Sequence, residues 1–317
     1  MGEAAALTAA MGWAVASVAL TSVSVRLPAL VVGGLQSSFA SVILLALVIG
    51  SGEFEDLTGA STTTLLAIVG SGVLGFALAE PMYVRTLSIL GMQRTYPVAM
   101  GLFILFSTTG GIVLLGERFS IGLVLGGVFI IGGAYLISAF RQEQLAHATH
   151  DAPSFPGAVG TSASTAPARL RMHARRFEGY ALLVLVPTLW TAATLVLAGA
   201  GDEVGFIPAA GLRVPAGALL LMSFLVLTGR PALSAAVRRR RDVVTIAGAG
   251  IAGIVVASLL FVFALFEAGA ARTAVLTSSS PLFAIPLAIV FLGESLSRYV
   301  LLGTALTVTG IIVVVTL

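Results

Sequence analysis

Three ionisable residues stand where their neighbours are almost wholly apolar. Glu80 and Arg85 lie in the run from Leu65 to Leu90, and Arg213 sits between Pro208 and Pro215 in another apolar segment. A charge in such a run is costly unless it is paired or wetted, so each is a functional candidate by default. For Glu80 the chemistry is proton exchange with a passing solute or gradient. Pro81 follows it directly; it lacks a backbone N–H, frees the carbonyl near Ala77 and bends the helix beside the carboxylate. Tyr83 lies one turn further on and is counted with the same site. For Arg213 the chemistry is a charge-assisted bond to an anion, either a carboxylate or phosphate on a solute or an acid of the protein such as Glu80. Arg85 also fits a side chain snorkelling to the membrane interface.

Other polar groups admit two readings each. Gln36 is the counterpart of Arg213 in the internal repeat described below, so both positions are polar. Ser278, Ser279 and Ser280 precede Pro281 and could hydrogen-bond a ligand or their own helix. Trp13 and Trp190 could wall a cavity or fill the interior. Glu117 and Glu294 each follow a glycine between two apolar runs, where a carboxylate is expected to cap the helix that comes next. These two are read as structural, as are Pro81 and Pro281.

Several chemistries are set aside. The chain has no cysteine, which removes disulfides, thiolate metal sites and cysteine nucleophiles. His147, His150 and Asp151 mimic metal-ligand spacing, but nothing completes the cluster. Arg238 to Arg241 abut an apolar span and read as a juxtamembrane anchor, not a nucleic-acid surface. No phosphate-binding glycine loop, nucleophile elbow or HExxH motif is present. No enzyme activity, cofactor, metal or nucleic-acid partner is expected.

The elements that must position these groups follow from composition. At 58% hydrophobic and 10% charged residues, a chain of 317 residues cannot bury its apolar side chains in a water-soluble core, so lipid is the remaining solvent. Windows of about 20 apolar residues recur, each matching the hydrocarbon slab of a bilayer. They fall at Ala4 to Val25, Ala29 to Ser51, Thr62 to Leu87, Arg94 to Leu115 and Ser120 to Phe140. Five more follow at Phe177 to Ala200, Val204 to Thr228, Val243 to Ala268, Arg272 to Leu292 and Ser297 to Leu317. The first is expected to be a retained span, since it lacks a basic leader and a clear cleavage site. Arg141 to Arg176, rich in Ala, Ser, Thr, Pro and His, reads as a flexible linker.

Sliding the chain against itself by the distance from Trp13 to Trp190 superimposes its halves. Gly34-Leu35 then falls on Gly211-Leu212, Leu115-Gly116-Glu117 on Leu292-Gly293-Glu294, Gly126 on Gly303 and Gly133 on Gly310. One added residue brings Gly70, Gly72 and Gly75 onto Gly248, Gly250 and Gly253. The expected fold is therefore an all-α integral membrane protein of ten transmembrane helices. Residues 1–140 and 177–317 form two five-helix repeats joined by 141–176. An odd number of spans per repeat inverts the second copy, an arrangement used by alternating-access carriers that bind solute between the halves.

The stretch Gly91-Met92-Gln93-Arg94-Thr95 running to Leu115-Gly116-Glu117-Arg118 and on through Gly126 and Gly133 resembles the EamA-like members of the drug/metabolite transporter superfamily. So does Ala270-Ala271-Arg272-Thr273 running to Pro281, Leu292-Gly293-Glu294, Gly303 and Gly310. The first half departs by having Ile104 at the position matching Pro281, with Pro97 earlier. The resemblance implies a carrier of amino acids, other metabolites or drugs, usually outward. The expected partners are a small-molecule substrate, the lipid bilayer and protons as coupling ion, in a multi-pass protein of the cell membrane. A lipid-linked precursor flippase or a non-transporting membrane scaffold is the alternative reading. Loops sharing one face carry Arg26, the linker arginines, Arg230, Arg238 to Arg241 and Arg298, while Glu53, Glu55, Asp56, Asp202 and Glu203 lie on the other. The arginine bias places the linker in the cytoplasm and both termini outside, the reverse of the family's habit.

Overall fold

Lipid offers the backbone no hydrogen-bonding partner, so a chain this apolar must satisfy its N–H and C=O groups within each segment. The computed structural model describes residues 1–24, 26–90, 92–150, 166–280, 282–283, 287 and 298–316, and every regular element among them is helical. The first elements are α1 (Gly2–Ser24), α2 (Ala29–Ser51), the short α3 (Phe54–Gly59) and α4 (Thr62–Gly72). A π-helix, Val73–Ala79, joins α4 to α5 (Glu80–Leu90), and α6 (Met92–Leu114) and α7 (Ile121–His150) follow. The second half holds α8 (Ala166–Ala198), α9 (Phe206–Thr228), the short α10 (Arg230–Val237) and α11 (Arg240–Gly250). A second π-helix, Ile251–Val256, leads into α12 (Ala257–Ala268), then α13 (Ala270–Thr277) and α14 (Arg298–Thr316).

Six of the described helices are long and apolar enough to cross a bilayer: Gly2–Leu20, Ala29–Ser51, Thr62–Leu90, Phe177–Asp202, Phe206–Thr228 and Arg240–Ala268. Val98–Leu114, Ile121–Gly133 and Leu301–Thr316 are shorter apolar helices. Pro281 and Glu294 lie outside the described residues. The segment read as a linker is helical at both flanks, because α7 runs on to His150 and α8 begins at Ala166. Good helix formers continue α7 past Phe140, notably Gln142, Glu143, Gln144, Leu145 and Ala146.

The π-helices were not foreseen in the sequence. In the first, Glu80 N–H donates to Gly75 O, five residues back, and in the second Ala257 N–H donates to Ala252 O. Only the first is followed by a proline, so Pro81 is not the common cause. Both follow a closely spaced set of glycines, Gly70, Gly72 and Gly75 in one and Gly248, Gly250 and Gly253 in the other.

Packing joins the halves element by element. The α7 helix lies against α14, α2 against α9, α1 against α12, and α8 against α5 and α6. Where α7 meets α14, a Cβ on Gly126 would lie 2.6 Å from Gly310 O, and one on Gly133 would lie 2.5 Å from Gly303 O. The helices run antiparallel at backbone contact, which only residues without side chains permit. Not every glycine serves this end: Gly70 and Gly248 have nothing within 4 Å of a built Cβ.

Polar ties hold the ends of the bundle. At one end Ser61 caps α4 by accepting from Thr64 N–H, while Glu203 accepts from Ser61 N–H at 2.8 Å and from Ser61 Oγ at 3.1 Å. The Ser61 backbone N–H, followed by the hydroxyls of Ser61 and Thr64, holds the Glu203 carboxyl below the usual carboxylate range. Elsewhere Arg26 pairs with the buried Asp242 at 2.9 Å and Arg272 with Glu3 at 3.1 Å. Arg85 grips Glu178 with two bonds, 2.9 and 3.2 Å, so its charge is partnered as well as partly exposed.

The glycine contacts make a direct test. Replacing Gly133 with Ala forces two backbones apart and is expected to destabilise by about 1–3 kcal/mol, as overpacking does. Gly70→Ala, facing open space, is expected to cost nothing. Thermal unfolding in detergent separates them: the Gly133 variant melts lower, and the Gly70 variant melts with the parent. Equal melting of all three proteins would remove the close-contact account.

Candidate functional site

A cavity of about 120 Å³ lies between the halves, room for several waters or one small solute. Gln36, Glu80, Tyr83, Trp13, Trp190 and Arg213 all line it, so the structure brings these six sequence candidates together. Ser278, Ser279 and Ser280 do not join them. Each hydroxyl bonds back to its own helix, Ser278 to Ala274 O at 2.8 Å, Ser279 to Leu276 O and Ser280 to Thr277 O, both at 2.7 Å. Three adjacent hydroxyls in an apolar helix meet the nearest backbone acceptors sooner than a distant ligand.

Arg213 is carried by α9 and is 6% exposed. Of the two partners considered for Arg213, Glu80 forms no ion pair with it; among the described residues the guanidinium enters no ion pair and its Nε has no hydrogen-bond partner. Phe76 lies beneath it, with Cζ 5.1 Å from the ring centroid, a cation–π contact. Gly75 lies beside the guanidinium, where a Cβ would stand 3.4 Å from Nη2, in van der Waals contact. Gly72 lets the backbones meet, its missing Cβ falling onto Arg213 O.

Across the cavity Gln36 occupies a matching niche. A Cβ on Gly250 would lie 2.9 Å from Gln36 O, and one on Gly253 would lie 3.8 Å from its Nε2. Gln36 is 2% exposed, and its Oε1 has no hydrogen-bond partner among the described residues. The tryptophans are matched as well. Trp13 sits 5.3 Å from the Phe261 ring and Trp190 sits 5.1 Å from that of Tyr83. Trp13 Nε1–H also donates to Gly253 O at 2.9 Å, tying α1 to the second π-helix.

Glu80 is the first residue after the π-helix Val73–Ala79, half-buried at the cavity wall. Ser258 lines the cavity from the repeat-equivalent position. Sequence reasoning missed Ser258, together with Ser17, Phe76, Met100, Phe103 and Thr194, all in the lining. Phe261 in the same lining was missed as well, although carrying Glu80 and Tyr83 across the repeat lands on Ser258 and Phe261.

The profile of one transporter family, described as EamA-like, matches residues 1–139 and again 177–316. The chain belongs to the EamA-like transporter family. It is thus a multi-pass membrane protein of a transporter family within the drug/metabolite transporter superfamily. No curated protein matches the chain. Solved structures share its fold; one, described only as a crystal structure of protein, superimposes with a TM-score of 0.71 at 17% identity. That superposition covers 98% of this chain and 95% of the other.

Outside the cavity, Glu117 caps a helix, but not the one that follows it. Gly116, at φ +67, turns the chain at the end of α6, where Glu117 N–H donates to Gly111 O at 3.0 Å. The carboxylate then reaches into the other half and accepts from Ala270 N–H at 2.6 Å and Ala271 N–H at 3.0 Å, at the start of α13. Gly111 and Gly269 leave the space it fills. Replacing Glu117 with Ala strips two charge-assisted bonds from that helix start and is expected to destabilise by about 1–3 kcal/mol. Gln, which keeps one acceptor, should fall between Ala and the parent in thermal unfolding. An Ala variant that unfolds with the parent would show that this cap holds nothing.

Proposed function

We propose that the chain is a secondary transporter, most simply an exporter, of a small metabolite, amino acid or drug bearing an anionic group. On this reading it sits in the cell membrane as ten spans, two inverted five-helix repeats at 1–140 and 177–317 joined by 141–176. The halves alternate access around the cavity, with protons as the coupling ion at Glu80. The observation that carries the reading is the Arg213 guanidinium, buried in the cavity wall with an Nε that lacks a partner among the described residues. A buried arginine without a protein anion is best completed by a carboxylate or phosphate from outside.

Three further observations support it. The family's profile matches each half separately. The close contacts come in repeat-equivalent pairs, Gly72 with Arg213 and Gly250 with Gln36, as expected of two copies facing each other about a twofold axis. Glu80 and Arg213 belong to different halves, so a solute spanning them would feel the halves move.

The test is uptake into proteoliposomes of a solute found by thermal-shift screening, with and without an imposed proton gradient. Glu80→Gln keeps the shape and removes the titrating proton, so it is expected to abolish gradient-driven accumulation while leaving solute exchange. Arg213→Gln is expected to weaken binding of an anionic solute about ten- to a hundredfold through loss of the charged bond. Accumulation by the Glu80 variant equal to the parent's would rule out Glu80 as the coupling residue.

A further inference from the structure

Outside the cavity, the strongest concentration of like charge is an arginine patch at one end of the bundle. The exposed Arg230 opens α10, and Arg238, Arg239, Arg240 and Arg241, all exposed, run from its end into α11. Arg26 joins them through its bond to Asp242. The patch is packed onto the bundle: Ala236 is fully buried, and Ala232 and Leu233 pack on the apolar cluster between α1, α2, α9 and α11. Its level is fixed, since α9 ends at Thr228 and the apolar part of the next span begins just after Arg241. Val237 and Val244 flank the arginines and are 53% and 70% exposed, as suits contact with acyl chains.

Charge in the patch is uncompensated. One acid, Asp242, occurs between Gly229 and Val244, and it is taken by Arg26 at 2.9 Å with Arg239 at 3.9 Å. Among the described residues Arg230, Arg238, Arg240 and Arg241 form no ion pair. The repeat-equivalent short helix, α3, has the opposite character: Glu53 precedes it and Glu55 and Asp56 lie in its first turn. Loop sequence accounts for one basic end; it does not require four unpaired arginines beside exposed valines on a helix packed against the bundle.

We propose that Arg230, Arg238, Arg240 and Arg241 form a binding site for the phosphate headgroups of anionic phospholipids in the leaflet around α10. The planar guanidinium groups match phosphate oxygens in pairs, and the neighbouring valines take the acyl chains. The acidic α3 end has no such affinity, so the protein selects anionic lipid at one end only. The site is independent of what the cavity carries.

The test follows thermal unfolding of the detergent-solubilised protein as phosphatidylglycerol is titrated into phosphatidylcholine micelles. The parent is expected to gain stability with phosphatidylglycerol, and the gain should shrink in high salt. Neutralising one arginine is expected to raise the half-saturating phosphatidylglycerol concentration about fivefold, and all four to Gln by well over tenfold. Arg26 and Arg239 are left intact because they hold Asp242. Inorganic phosphate at matched concentration is expected to give no rise; an equal rise would make this a soluble-anion site and overturn the lipid assignment. A parent that responds identically to both lipids, or a salt-insensitive response, would also overturn it, even if the fourfold variant failed to fold.

Discussion

Holding the Arg213 guanidinium inside an apolar bundle is the constraint around which the centre of the molecule is arranged. Desolvating a cation costs several kcal/mol in general terms, and the cost is tolerable only where partners or water remain. Phe76 supplies a ring face, and the cavity supplies room for water. Gly72 brings the backbone of α4 against the carbonyl of Arg213, so the residue that carries the charge also sets the spacing of the two helices. A carboxylate beside it would satisfy the charge permanently. Glu80 lines the same cavity without doing so.

On the reading of two inverted halves, duplication supplied the cavity and divergence made it polar. Gln36 and Ser258 occupy the positions equivalent to Arg213 and Glu80, and they are neutral. Trp13 beside Phe261 and Trp190 beside Tyr83 keep the aromatic walls nearly equivalent. Two differences therefore place a cation in one half and an acid in the other. The paired π-helices lie beside both niches, and Glu80 and Ser258 stand just after them in the chain.

The apolar, helical character of the chain and the polar residues that line the cavity were legible because they contrast with their surroundings. Glu80 and Arg213 are visible in an apolar run, and Trp13 and Trp190 are the only tryptophans. Phe76, Met100 and Phe103 were not legible, since an apolar residue in an apolar helix carries no contrast. Ser278 to Ser280 misled because a hydroxyl's choice between backbone and ligand is settled by three-dimensional reach. Glu117 was expected to cap the next helix in the chain, whereas its carboxylate meets the start of α13, a contact hidden from the sequence because Ala270 is distant in the chain. The π-helices left no periodic trace that hydropathy could reveal.

Both tryptophans line the cavity, so intrinsic fluorescence reports its occupancy with little background. The most direct measurement titrates the purified protein with small aromatic carboxylates and with uncharged alcohols of the same size. The account expects a saturable fluorescence change with carboxylates that is weak with the alcohols and lost in Arg213→Gln. A change of equal size and midpoint in parent and variant would contradict the claim that Arg213 receives the anion of the solute.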